Sequence, residues 1–242
     1  LLKTDRNFVA GEDPRVLNST HTFDNKGFMI IATGNKVERY GIAFDGNTAG
    51  WPSGVNKKGN ENFGKNYIWF VFDDQLYVIK WLSPLWLLRC CDHCHMSTGI
   101  LGCSTVVREN HSGDRHYRGG TVGYQLGNFG VFGIGHKTTR HPLVHQPFAW
   151  FLNMSSDVPE IVNDLNKSML IFPDSLRITD PTSMLFHDNG KIFIITTESN
   201  YHWYMKRQVY LHKIYSVNRS RGEILRQCLL FTDSGHSRSM VN

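Results

Sequence analysis

The sequence predicts an all-β protein, and two features of its composition and patterning support this prediction. Apolar runs rich in aromatic and β-branched residues alternate with short clusters of Gly, Asn and Asp, which end strands and form turns. The chain has 22 Gly and a hydrophobic fraction of 40%, with 15 Phe, 9 Tyr and 6 Trp, so a sizeable core is expected. The 3.6-residue period of a helix is weak except over residues 158–170.

An internal repeat defines the architecture further. Four segments each open with Asp, Asn or Gly and continue as an apolar strand: DNKGFMIIATG (24–34), DDQLYVIKWLS (73–83), GNFGVFGIGHK (127–137) and DNGKIFIITTE (188–198). A second apolar run precedes each one: RVLNSTHTF, YIWFVF, TVGYQL and TSMLFH. Strand, tight turn and strand make a β-hairpin, so the sequence predicts four of them.

The spacing of the hairpins indicates a β-propeller. They recur at roughly 50–60 residues, in the range that is typical of propeller blades or arrays. Strands near residues 149–153 and 207–217 would complete blades. We therefore predict one propeller domain over residues 1–242, with four to five blades. In the five-bladed form the first blade would lack part of its strands.

Composition and sequons bear on partners and compartment. The net charge of +5 is mild and no Lys/Arg block is present, which excludes the usual nucleic-acid patterns. No apolar stretch reaches the ~18 residues of a membrane span. Several Asn-x-Ser/Thr sequons favour the secretory pathway lumen (Golgi) or an extracellular location. The candidate glycosylation sites are Asn18, Asn110, Asn153, Asn166 and Asn218.

Four of the five cysteines crowd into one segment, RCCDHCHMSTGILGC. The run Cys91-Asp92-His93-Cys94-His95 has spacing that suits zinc, but a second pair of ligands is unclear. A local disulfide within residues 90–103, in an oxidising compartment, is the favoured alternative. The odd count leaves one thiol over.

A polar cluster stands just before the first strand of each predicted hairpin. The clusters are Glu12-Asp13-Pro14-Arg15, Lys65-Asn66, Arg118-Gly119-Gly120-Thr121 and Thr179-Asp180-Pro181-Thr182. Equivalent positions in propeller blades converge around the central axis, so we expect the four clusters to line one funnel. The alternative is that they are turn residues, because Asp-Pro is a common turn dipeptide.

The ordered motifs resemble a known family. GEDPR, then KN-x3-F, then RGG-T before a hairpin ending in Gly-His, then TDPTS is similar to the five-bladed propellers of the β-mannoside phosphorylases and related β-mannosyltransferases. The resemblance covers residues 11 to about 200. It implies that Asp13 is the catalytic acid at the glycosidic oxygen and that no metal or other cofactor is required. The third-blade strand TVGYQLG lacks the Lys that binds phosphate in the phosphorylases, although His136 is present.

The residues themselves are compatible with glycoside chemistry. Glu12, Asp13 and Asp180 would supply two carboxyl groups with different pKa values, which is the usual acid/base pair of glycoside chemistry. Around them, the substrate-binding candidates are Arg15, Lys65, Asn66, Tyr67, Arg118 and His136. Lys65, Arg118 and His136 would supply positive charge for a phosphate or for the diphosphate of a nucleotide-sugar donor. The aromatics Tyr67, Trp69, Tyr124 and Trp150 either stack on sugar rings or belong to the core.

Three classes of function remain open at this point. The first is a carbohydrate-active enzyme of the secretory pathway: a mannosyltransferase-like glycosyltransferase is favoured, with a glycoside hydrolase or phosphorylase as the alternative. The second is a non-catalytic, lectin-like propeller that binds carbohydrate. The third is an interaction propeller, which the charged clusters disfavour. The sequence gives no sugar identity, linkage or oligomeric state.

Overall fold

The computed structural model describes residues 12–19, 27–33, 42–44, 49–50, 67–90, 103–110, 116–187, 191–200 and 210–217. All regular elements within these ranges are β-strands, which confirms the all-β prediction. The chain divides into two compact units, residues 1–115 and 116–242. The prediction of one domain over the whole chain stays a prediction.

The first unit contains two four-stranded antiparallel sheets, each with its strands in chain order. One sheet comprises β1 (Glu12–Ser19), β2 (Gly27–Thr33), β3 (Ile42–Phe44) and β4 (Ala49–Gly50). The other comprises β5 (Ile68–Phe72), β6 (Gln75–Leu82), β7 (Leu85–Cys90) and β8 (Cys103–Arg108). Four-stranded meanders of this kind are the building blocks of propellers. Closure of such blades around an axis stays a prediction.

The second unit contains one eight-stranded sheet. Its strands are β9 (Tyr117–Arg118), β10 (Tyr124–Leu126), β11 (Gly130–Arg140), β12 (Leu143–Asn153), β13 (Glu160–Ile161), β14 (Ile178–Phe186), β15 (Ile192–Ser199) and β16 (Leu211–Val217). The main path runs β10-β11-β12-β14-β15-β16, and β9 pairs with β11. The contact of β12 with β14 is parallel and joins His145 to Ile178, so β11, β12 and β14 lie side by side.

All four predicted hairpins are present: β1–β2, β5–β6, β10–β11 and β14–β15. The second has a two-residue turn, in which Asp73 and Asp74 have φ of 46° and 60°. Two positive φ values are what a tight type I′ turn requires, and Asp tolerates them better than most residues. The predicted strands near 149–153 and 207–217 correspond to β12 and β16. Residues 158–170 form turns and β13 rather than a helix.

Two of the polar clusters lie inside strands rather than before them, which corrects the prediction from sequence. EDPR opens β1 and TDPT belongs to β14, and the register shifts between Glu12 and Arg15 and between Pro181 and Ser183. Proline has no N–H to donate to a ladder, so a strand that contains it pairs irregularly at that point. The two Asp-Pro dipeptides therefore mark irregularities in strands instead of turns.

The core of the second unit is built from the inner faces of its central hairpins. It includes Leu126, Phe132, Ile134, Phe151, Phe172, Met184, Ile192 and Ile194. Trp150 and Phe148 are also fully buried. In the first unit, β5 to β7 bury side chains on both faces, among them Phe70, Ile79 and Leu87. Strands that are buried on both faces need long apolar runs, and the sequence from Tyr67 to Leu88 is accordingly mostly apolar.

The structure describes the cysteine-rich segment only at its two ends. Cys90 and Cys103 are cross-strand partners at the ends of β7 and β8, whereas Cys91 and Cys94 lie outside the described residues. Cα atoms of such partners are about 4.5–5.5 Å apart, within the range that a disulfide spans. The disulfide itself stays a prediction, as does the zinc alternative.

Among the described residues, no helix is long and apolar enough to cross a membrane.

Candidate functional site

The candidate site of the second unit is centred on the carboxylate of Asp180. Asp180 follows Thr179 in β14, and its side chain keeps 36% of its exposure, so solvent and ligands reach it. Its Oδ1 lies 2.6 Å from Nδ1 of His145 in β12 and 3.7 Å from Nδ1 of His136 in β11. Three neighbouring strands thus direct one carboxylate and two imidazoles to the same place.

The two imidazoles lie against each other. Their ring centroids are 4.8 Å apart and their planes differ by 23°. The side chain of His136 is 4% exposed and that of His145 is 19% exposed, so His136 is covered and His145 lies closer to solvent. The backbone fixes His145 further, because its N–H donates to the carbonyl of Arg177 at 3.1 Å. The cluster is therefore held by the sheet and not by a flexible loop.

Arg118 adds a guanidinium to this cluster. It lies in β9, and its backbone is the register partner of His136. Burial lowers the pKa of Arg118 and the charge of Arg140 lowers it further, while Asp180 acts in the opposite direction. The Nε–H of Arg118 is buried and makes no hydrogen bond within the described part of the chain. A buried N–H without an acceptor is costly to the fold.

The RGGT segment shows why Arg118 is placed beside the sheet. A Cβ on Gly120 would lie 2.5 Å from the carbonyl oxygen of Ile134 and 2.6 Å from Cγ of Pro181, so only glycine fits. Thr121 is fully buried, and its Oγ1 accepts from the N–H of Ile134 at 3.0 Å. The glycine and the threonine therefore bind the segment closely against β11 and β14, and Arg118 is carried with it.

The chemistry of the cluster follows from its groups. A partly exposed carboxylate accepts hydrogen bonds from hydroxyl groups, and a guanidinium donates to oxygen. Imidazole and carboxylate are also ligands for divalent metal ions, and the three ligand atoms of His136, His145 and Asp180 lie within 4.8 Å of one another. The site can thus bind a polyhydroxylated ligand or a cation.

Three residues chosen from the sequence come together here. Arg118, His136 and Asp180 were assigned to a common site from separate motifs, and in the structure they occupy neighbouring positions on β9, β11 and β14. His145 was missed. No local signal marks it, since it follows a turn in the run HPLVHQP and belongs to no repeated motif.

The remaining predicted residues lie elsewhere. Glu12, Asp13 and Arg15 belong to β1 in the first unit, and Lys65 and Asn66 lie outside the described residues. Their membership of a common funnel stays a prediction. Tyr67 is 5% exposed, as is Trp69, and Trp150 is fully buried. These burials agree with the core alternative for the aromatics.

The candidate glycosylation sites differ in exposure. Asn110 and Asn166 are exposed, and the Oδ1 of Asn166 accepts hydrogen bonds from the hydroxyl of Tyr117 and from Nζ of Lys137. Asn153 is buried, and its Oδ1 accepts from the N–H and Oγ of Ser155. Asn18 lies in β1, and Asn218 lies outside the described residues. Glycosylation at all five stays a prediction.

A second carboxylate of this unit, Glu198 in β15, is fully buried. Its Oε1 accepts from Tyr215 at 2.6 Å and from Thr196 at 2.9 Å. Its Oε2 accepts from the N–H of Leu176 at 2.9 Å and forms a 3.1 Å ion pair with Lys213. Every lone pair that faces the protein has a donor, so Glu198 joins β15, β16 and the segment before β14.

No family model matches the chain, and a search of curated proteins finds no match. Among solved structures, the chain is similar to the endo-arabinase from Bacteroides thetaiotaomicron VPI-5482, with a TM-score of 0.49 and 9% sequence identity. The similarity covers 85% of this chain and 75% of that one.

Proposed function

We propose that the protein is a carbohydrate-active enzyme that cleaves glycosidic bonds, with a glycan as substrate. The observation that supports this most is the convergence of Arg118, His136 and Asp180 on one partly exposed place. The sequence motifs in which these residues stand are those that resemble the β-mannoside-active propellers. A chance set of turn residues would have no reason to converge.

The residues have separate roles in this proposal. The family resemblance assigns the role of general acid to Asp13, in the EDPR motif of the first unit, with Glu12 and Arg15 beside it in the chain. Asp180 accepts hydrogen bonds from sugar hydroxyls, and Arg118 donates one to a sugar oxygen. His136 and His145 hold the Asp180 carboxylate in place, since both rings adjoin its Oδ1.

Hydrolysis is the reaction that we favour over transfer. It needs carboxyl groups and water, and two carboxyl groups at the correct separation perform it in most glycosidases. Transfer from a nucleotide sugar needs a diphosphate-binding site in addition. The glycosyltransferase predicted from sequence is therefore kept as the second candidate. A phosphorylase, which uses inorganic phosphate as co-substrate, is the third.

The test is a measurement of product formation by the full chain on a panel of aryl glycosides and oligosaccharides, including β-mannosides. Water, inorganic phosphate and nucleotide sugars are compared as co-substrates. The variants are Asp13→Asn, Asp180→Asn and, as a matched control, Asp157→Asn, which changes an exposed carboxylate of the second unit. General acid catalysis is worth about 10²–10⁴-fold, so Asp13→Asn should lower kcat by that factor.

The variants separate binding from chemistry. Asp180→Asn should raise KM more than it lowers kcat, and Asp157→Asn should match the wild type. Unchanged turnover in Asp13→Asn would remove the acid assignment. Sugar binding without turnover on any co-substrate would identify a lectin and overturn the enzyme proposal, and consumption of a nucleotide sugar alone would identify the transferase.

A further inference from the structure

The cluster around Asp180 also has the composition of a metal site. One ring nitrogen from each of His136 and His145 and a carboxylate oxygen of Asp180 all lie within 4.8 Å of one another. They come from three adjacent strands, β11, β12 and β14, and none from a loop. Among the described residues this is the one group of three His, Cys, Asp or Glu side chains with such spacing.

We propose that His136, His145 and Asp180 bind a divalent transition-metal ion, with Zn²⁺ as the preferred occupant. Two imidazoles and one carboxylate are the donors that zinc, cobalt and nickel accept, whereas calcium and magnesium prefer oxygen alone. Zinc sites with three protein ligands leave a fourth position for water or substrate. The 36% exposure of Asp180 leaves room for that fourth ligand.

The distances show what binding requires. Zinc ligands lie about 2.0–2.2 Å from the metal, which places tetrahedral donors roughly 3.3 Å apart. The separation of 3.7 Å between His136 Nδ1 and Asp180 Oδ1 is close to that value. The hydrogen bond of 2.6 Å between His145 and Asp180 has to open, and the stacked rings have to turn toward the ion. Metal binding therefore replaces this hydrogen bond and separates the rings.

Arg118 supplies an internal check on this proposal. Its positive charge acts on the same carboxylate, so it opposes a cation at the site. Arg118→Met keeps much of the side-chain length and removes the charge. The affinity for Zn²⁺ should rise in this variant. An anion held by the same cluster would respond in the opposite direction.

The experiment measures metal binding to the full chain after removal of metals with a chelator. Zn²⁺ affinity is determined by competition with a chromophoric chelator, and Co²⁺ is used as a spectroscopic substitute. Nitrogen and oxygen ligands give Co²⁺ d–d absorption, while cysteine ligands add a thiolate charge-transfer band. The spectrum thus separates this site from any metal held at Cys91 and Cys94. No sugar is needed, so the outcome is independent of the proposed activity.

The variants are His145→Ala and Asp180→Asn, with His212→Ala as the control, since His212 is an exposed histidine on β16. We expect one Co²⁺ ion to bind per chain, with an absorption spectrum that lacks a thiolate charge-transfer band. Loss of a residue that only supports a metal ligand lowers metal affinity roughly 10- to 100-fold, and loss of a ligand itself should cost at least as much. Zn²⁺ affinity should therefore fall by at least that factor in both site variants and stay unchanged in the control. When bound, the metal would act as a Lewis acid or activate water.

Three results would overturn the proposal. One is Zn²⁺ affinity that is equal in the wild type and both site variants. Another is a Co²⁺ spectrum that contains only a thiolate site. The third is binding of sulfate in place of Zn²⁺, lost in Arg118→Met, which would identify an anion site. Circular dichroism of each variant establishes that it is folded before its affinity is compared.

Discussion

Asp180 in β14 and Glu198 in β15 are carboxylates on adjacent strands of one hairpin, yet their surroundings differ completely. Glu198 is fully buried and has four hydrogen-bond donors, including Tyr215 and Lys213. Asp180 is partly exposed and has imidazole neighbours on one side. A saturated, buried carboxylate serves the fold, because no partner position remains for a ligand. A partly exposed carboxylate beside two imidazoles can be reached by a ligand.

The largest expected effect is on stability and concerns Glu198. Glu198→Ala leaves the hydroxyl of Tyr215, the N–H of Leu176 and the ammonium of Lys213 without their acceptor. Loss of one partner of a buried ion pair costs about 3–5 kcal/mol. Urea unfolding should show a loss of that size, and Glu160→Ala, at an exposed glutamate, should show almost none. Equal losses would remove the distinction between the two kinds of carboxylate.

The next effect isolates a single hydrogen bond of Glu198. Tyr215→Phe removes the 2.6 Å bond but keeps the ring, which stacks on Phe172 with centroids 4.3 Å apart. Hydrogen bonds to charged groups contribute about 1.5–3 kcal/mol. The free energy of unfolding should fall by that amount. In a Glu198→Gln background the cost should be smaller, as a double-mutant cycle would show.

Asp180→Asn should cost less stability than either change at the Glu198 site. The substitution keeps the size and one acceptor oxygen, and solvent replaces what the carboxylate loses. A net loss of about 1 kcal/mol or less is expected. The affinity for the proposed glycan or metal ion should nevertheless fall. Asp180→Asn should therefore change affinity more than stability, and Glu198→Ala should change stability most. A loss of stability as large as that of Glu198→Ala would show that Asp180 is structural.

Glu198 should also make the stability of the protein depend on pH. Burial alone would raise the pKa of Glu198, but the hydrogen bonds from Tyr215, Leu176, Thr196 and Lys213 outweigh it, and the pKa lies below its ordinary value. Such a group contributes stability above its unfolded pKa of about 4.3 and loses it as the pH falls through the folded pKa. Thermal unfolding between pH 7 and pH 3 should show this loss. Glu198→Gln should show less of it.

The smallest effect concerns the exposed and buried asparagines. Asn110 is exposed, whereas Asn153 is 8% exposed and accepts two hydrogen bonds from Ser155. An oligosaccharyl group needs an accessible side-chain nitrogen, so Asn110 should carry a glycan in a secreting host and Asn153 should not. Peptide mass spectrometry after deglycosylation measures both. A glycan on Asn153 would contradict the inference that burial decides the use of a sequon.

The sequence alone was sufficient for the four hairpins. Each was predicted because one apolar run precedes and another follows a turn of Asp, Asn or Gly, and these features depend only on neighbours along the chain. The assignment of Arg118, His136 and Asp180 to one site also came from sequence, through motifs before or within those hairpins. Local chemistry is enough when the feature is a strand, a turn or a motif.

Only the tertiary structure assigned the partners of those residues. His145 is 35 residues from Asp180, and Tyr215 is 17 from Glu198, and no local pattern marks either pair. Their contacts arise from the parallel pairing of β12 with β14 and from the register of β15 with β16. Sheet register is a cooperative property of many side chains, so it decides which polar groups meet. The sequence determined the strands and the reactive groups, and the packing of the strands determined which carboxylate is buried and which is open.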